Sequence, residues 1–123
     1  MGFTPFAQFL PLSGGTLTGS LSAVAESLTG GGLDVSQAGQ GLKVAEGANA
    51  KQGTAVLVAG TVTVADTSVT ASSRIQLTPQ TLGTVTAPSA LCVSARTPGT
   101  SFTILASQAT DTSTVGYEIF EPG

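Results

Sequence analysis

The chain has 123 residues, a formal charge of −3, and 9% charged against 41% hydrophobic side chains. It has no His and a single cysteine, Cys92, which excludes a Ser-His-Asp triad, a Cys-His pair, a Cys/His zinc site and an intrachain disulfide. The four cations Lys43, Lys51, Arg74 and Arg96 form no nucleic-acid-binding patch, and no apolar run approaches the roughly 18 residues of a membrane span.

An ordinary soluble domain carries roughly 25% charged residues. So sparse a coat implies a surface rich in Thr, Ser and Gln, part of it covered by other copies of the chain. The length allows one domain with a small extension.

Residues 1–12 hold three of the five phenylalanines. Pro5 and Pro11 discourage a long helix. Phe3, Phe6, Phe9 and Leu10 read as an apolar anchor, packed on the chain's own core or docked on a neighbouring protein. No basic region precedes an apolar core here, so a secretory signal is not expected.

Residues 13–50 read as a short β-rich segment of brief strands and frequent glycines. Gly14 and Gly15 supply a turn, and Leu17 and Leu21 supply burial. Gly30, Gly31 and Gly32 break the pattern. Short strands are expected at residues 33–35 and 42–44, around a turn at 39–41. Such ribbons need a neighbour, so Leu17 and Leu21 are assigned to a subunit interface.

Residues 51–123 read as the main domain, with strands expected at 54–59, 61–65, 73–78, 89–95, 100–106 and 114–120. Val62 and Val64 alternate with Thr61 and Thr63, and Ile75 and Leu77 with Arg74, Gln76 and Thr78, the period of half-buried strands. The first strand is apolar on both faces, with Val56 and Val58 on one and Ala55, Leu57 and Ala59 on the other. A second copy is the expected cover, which places Val56, Leu57 and Val58 at a subunit interface. Leu91, Val93 and Ala95 share a face, as do Phe102, Ile104 and Ala106, and Val115, Tyr117 and Ile119. Cys92 is expected to be a buried thiol. Pro79, Pro88 and Pro98 fall between strands, and Phe120 and Pro122 close the domain. The class is all-β: a small antiparallel sandwich or jelly-roll-like domain. A sandwich of about 70 residues is near the lower limit for independent stability, which favours oligomers.

Arg74 and Arg96 sit on a polar outer face or pair between subunits with Asp66, Asp111 or Glu118. Of the acids, Glu26, Asp34, Glu46, Asp66, Asp111, Glu118 and Glu121, the nearest pair is Glu118 and Glu121, with no acidic cluster around it and no calcium loop; a glycan-cleaving pair assembled in space is a third reading, for which the residues argue poorly. The glycine runs lack the Lys-Ser/Thr of a phosphate loop. No catalytic residue, metal or cofactor is assigned.

Phe9-Leu10-Pro11-Leu12-Ser13-Gly14-Gly15-Thr16-Leu17-Thr18-Gly19-Ser20-Leu21 resembles a segment that recurs in fibre proteins of tailed bacteriophages. Residues 42–121 resemble a second phage module, carried by Lys51 to Val64, Ser73-Arg74-Ile75, Val93 to Ile104, Asp111 to Val115 and Ile119-Phe120-Glu121-Pro122. The resemblance implies a β-rich, trimeric structural unit at the end of a virion protein. The chain is short for a tail fibre. It is therefore expected to be a homotrimeric capsid decoration or short head fibre, anchored through residues 1–12 on the major capsid protein or another virion protein. The alternative is a tail fibre or tail tip that meets a host-surface glycan or protein through loops 79–88 and 107–113. Neither nucleic acid nor a membrane is an expected partner.

Overall fold

The computed structural model describes residues 34–123. Phe3, Phe6, Phe9, Leu10, Leu17 and Leu21 lie outside the described residues. The chain divides into two units, Met1–Gln40 and Gly41–Gly123. Of the first unit, the described part makes a turn in which Gln40 N donates to Gln37 O at 3.1 Å.

Six strands form in the second unit: β1 (Gln52–Val56), β2 (Thr61–Ala65), β3 (Arg74–Thr81), β4 (Leu91–Thr97), β5 (Ser101–Ala106) and β6 (Thr114–Phe120). They make two antiparallel three-stranded sheets: sheet I in the order β1-β6-β3, and sheet II in the order β2-β5-β4. The all-β antiparallel sandwich expected from the alternation is what forms. Residues 42–44 are not a strand; Glu46 makes only a parallel bridge to Gln52.

The two central strands are the most buried. Phe102, Ile104 and Ala106 of β5 face Val115, Tyr117 and Ile119 of β6, with Leu57 and Val69 completing the core. The Phe102 and Tyr117 rings meet edge-on, centroids 5.1 Å apart at 74°, a geometry favoured by the ring quadrupoles. Val62, Val64, Ile75, Leu77, Leu91 and Val93 pack in from the edge strands.

The chain passes from sheet I to sheet II within a few residues. Leu57 N still donates to Ser113 O, prolonging the β1·β6 ladder. Val58 and Thr61 then exchange both backbone hydrogen bonds around Ala59 and Gly60, whose φ angles are 50° and 78°. Two positive φ values at the turn centre match the right-handed twist of the strands. A side chain at Gly60 would also strike the Gln108 carbonyl oxygen at 2.6 Å.

Several expectations change. Leu57 is wholly buried in the chain's own core, so it is withdrawn from the subunit interface. The expected strand ends at Val56 and the chain turns inward, which leaves Val56 and Val58 exposed. Pro79 lies inside β3, where an edge strand tolerates the missing donor and the register shifts before Thr81. A second shift between Val93 and Ala95 turns Ala95 out to solvent. Cys92 alternates outward and is exposed. Phe120 stands on the outer side of β6, 48% exposed, and does not close the core.

Candidate interaction faces

A strand with one face in the core offers its alternate residues outward, so each sheet presents an outer face, and the two differ. On sheet II the cross-strand register sets three rows. Val58, Thr61, Leu105 and Cys92 form the first; Thr63, Thr103 and Ala95 the second; Ala65, Ser101 and Thr97 the third. No charge stands in any row. Val58 and Leu105 are 69% and 44% exposed, and Cys92 beside them is also exposed. Several hydroxyls of this face are already engaged. Thr61 Oγ1 donates to Ile104 O at 3.1 Å, Thr63 and Thr103 share a hydrogen bond at 3.0 Å, and Ser94 Oγ donates to Thr103 O at 3.5 Å.

On sheet I the matching rows are Gln52, Glu118 and Gln76, then Thr54, Gly116 and Thr78, with Arg74 opposite Phe120 at one end. Here amides, hydroxyls and a carboxylate point outward. Among the described residues, side-chain hydrogen bonds do not involve them.

Two buried or half-buried polar knots fix the loops that border these faces. In the first, Glu121 accepts from Lys51 Nζ at 2.6 Å, Ser73 Oγ at 2.5 Å and Thr70 Oγ1 at 2.7 Å, while Lys51 Nζ also donates to Ser68 O at 2.6 Å. Lys51, then Ser73 and Thr70, hold the Glu121 carboxyl down from 4.5 to about 2, because each donor favours the charged form. In the second, buried Asp111 accepts from Ser113 N at 2.8 Å and from Ser89 Oγ, and Gln108 Nε2 donates to Ser89 Oγ at 3.2 Å. Hydrogen bonding to Ser113 and then Ser89 lowers the Asp111 carboxyl below its usual value, against the opposing effect of burial. Burial, with Asp66 and Glu46 nearby, raises the Tyr117 phenol.

These knots correct one sequence reading. Asp66 and Asp111 are 0% and 1% exposed. Asp66 accepts from Ser68 N at 2.7 Å and Asp111 is bound as described, so neither is offered to an arginine of another subunit. Glu118 alone of the three acids is exposed. Arg74 and Arg96 are both exposed, on edge strands β3 and β4 of different sheets. Among the described residues, no group of three His, Cys, Asp or Glu is placed to hold a metal. No described helix is long and apolar enough to cross a membrane. Sequence reasoning missed Leu105 and Cys92 as outward apolar groups, although the strict alternation of Phe102, Ile104 and Ala106 already turned Leu105 outward.

Residues 49–120 match the family described as the C-terminal domain of K1 capsule-specific polysaccharide lyase. That is a domain related to phage tail spikes, and it agrees with the phage-fibre resemblance at this coarse level. No curated protein and no solved structure matches.

Proposed function

The chain belongs to the family of the K1 capsule-specific polysaccharide lyase C-terminal domain, and from that premise we propose that it is a structural unit of a bacteriophage virion, a homotrimeric module on a tail fibre or spike. Lyase chemistry belongs to the protein for which the family is named. In this chain the role is assembly and presentation: residues 1–12 anchor, and residues 51–123 form the body.

The observation that carries the reading is the uncharged outer face of sheet II. Burying a hydroxyl without a partner costs free energy, whereas one already bonded within its own sheet is buried at little loss. Thr61, Thr63 and Thr103 meet that condition, and Val58, Leu105 and Cys92 supply apolar area. Depletion of charge with retained apolar groups marks the core of an interface between proteins. Subunits therefore pack through sheet II, with Leu105 of the central strand β5 in the contact and Val58 and Arg96 at its rim, while Val56 and Arg74 belong to sheet I and lie outside it. The family name favours a tail position over a head decoration.

The test is mass in solution. Light scattering on the intact chain is expected to give three times the 12.1 kDa chain mass. A monomer that melts cooperatively at low concentration overturns the proposal. Removing residues 1–12 is expected to preserve the trimer and to leave tails bare; capsids that lose the protein instead would restore the head position.

A further inference from the structure

A shallow groove runs along the outer face of sheet I. Gly116 is its floor, between Thr54 and Thr78, with the row of Gln52, Glu118 and Gln76 beside it. The cavity here is about 190 Å³, with Glu46 and Gln80 on its margins. Gly116 opens this space. A methyl built on it would have the flexible Gln80 side chain as its nearest neighbour, the amide nitrogen 2.7 Å from the added carbon, so Gln80 reaches from the margin over part of the floor. The groove continues past Gln52 and Glu118 into a second hollow of about 160 Å³, lined by Phe120, Leu42 and Val44. These three are 48%, 71% and 43% exposed.

The site therefore has two halves joined at one carboxylate. One half offers amides that donate and accept, hydroxyls, and a carboxylate that only accepts. The other offers an aromatic ring and two aliphatic side chains. A ligand that satisfies both has an apolar flat face and a rim of hydroxyls, the make-up of a pyranose ring. Mostly apolar walls with a few convergent polar groups are how small-molecule sites fix orientation. The charge pattern narrows the class. Glu46 and Glu118 face the polar half with no cation among its lining residues. Lys51 borders the apolar half, but its ammonium is held by Glu121 and by Ser68 O, each at 2.6 Å. Arg74 stands opposite Phe120 in register and lines neither half. A polyanionic glycan would bring like charge against Glu46 and Glu118.

We propose that the sheet I groove binds an uncharged oligosaccharide, with sugar hydroxyls on Glu118, Gln76, Gln52 and Thr78 over Gly116, and a sugar C–H face on Phe120. This rests on the reading of the chain as a virion-surface module only for where the sugar is met.

The experiment titrates the intact chain by calorimetry and by NMR. The probes are neutral hexasaccharides of glucose, mannose, galactose or N-acetylglucosamine, with polysialic acid as the anionic counter-probe. At least one neutral hexasaccharide is expected to bind with a dissociation constant on the order of 1 mM or tighter, one per chain, shifting resonances of Glu118, Gln76 and Phe120. Glu118→Gln and Phe120→Ala are each expected to weaken it about tenfold. Gly116→Val, which fills the floor at a site of ordinary backbone geometry, is expected to abolish it with the melting temperature retained. Absence of binding by every neutral probe overturns the proposal. So does tighter binding of polysialic acid, or affinity unchanged in both Glu118→Gln and Gly116→Val. The mass measurement separates this from the assembly reading. A trimer that binds no sugar removes the groove alone, and a monomer that binds sugar removes the trimer alone.

Discussion

The outer faces of the two sheets are built from the same Thr-rich alternation, yet they treat their polar atoms in opposite ways. On sheet II, Thr63 bonds to Thr103 and Thr61 to a backbone carbonyl, and no charge is present. On sheet I the outward row holds Gln52, Glu118 and Gln76, and none of these joins a side-chain hydrogen bond among the described residues. The first face loses little by being dried; the second loses much, because each unpaired amide or carboxylate would need a new partner. Counting hydrophobic residues would not have separated them, since Val56 and Phe120 stand out on sheet I much as Val58 and Leu105 do on sheet II. What separates them is whether the polar atoms are already satisfied.

The contrast can be broken or sharpened in four ways. The largest effect is expected where the faces share a support. Phe102→Ala opens the core between the sheets and should cost about 3–5 kcal/mol, melting both faces in one denaturant transition; two separate transitions would show that the sheets do not share a core. Next, Leu105→Asp places a charge in the uncharged face and should convert the assembly to single chains by light scattering. Gln76→Asp on sheet I should leave the mass unchanged, and the reverse outcome would exchange the roles of the faces. A smaller effect follows from pH. The Glu121 carboxyl is held from 4.5 down to about 2 in the fold, so its stabilisation is complete above pH 4.5 and is lost as pH falls towards 2. Thermal melts across that window should decline less steeply in Glu121→Gln than in the parent chain; equal slopes would remove the knot from the account of acid sensitivity. The smallest is chemical. Cys92 lies in the apolar row of sheet II, so maleimide should label it readily in Leu105→Asp and slowly in the parent, with equal rates arguing against a covered face.

Much of the fold is legible in the residues. Period-two alternation at Val62 and Val64, at Phe102, Ile104 and Ala106, and at Val115, Tyr117 and Ile119 places three strands and selects their buried sides. What alternation cannot supply is the break at Leu57, where a positive-φ turn at Ala59 and Gly60 ends β1 early and sends the chain into the other sheet. Nor can it supply the register shift before Ala95, which turns that residue out. Pro79 misleads because proline reads as a connector, and β3 is an edge strand that accommodates it. The candidate faces are harder still to read. Rows such as Thr61, Leu105 and Cys92 join residues far apart in the chain, and only pairing brings them together. Asp66 and Asp111 look like surface acids in sequence; Ser113 and Ser89 bind both oxygens of Asp111, whereas Ser68 binds one oxygen of Asp66 and its Oδ2 is buried without a partner among the described residues.

One arrangement described above bears on mechanics. Gln52 lies opposite Glu118 in the β1·β6 ladder, so the domain's first strand begins and its last strand finishes at the same end. Tension between the segment before β1 and the chain's tail would therefore peel the two strands apart bond by bond, like a zip, rather than shear them all at once. The first bonds in its path are the Lys51–Glu121 pair and the Ile119 N–H to Lys51 O hydrogen bond at 2.7 Å. Optical-tweezer traces should then show low rupture forces that fall further in acid, and the module would serve better as a head carried on a stalk than as a link within a tether under strain.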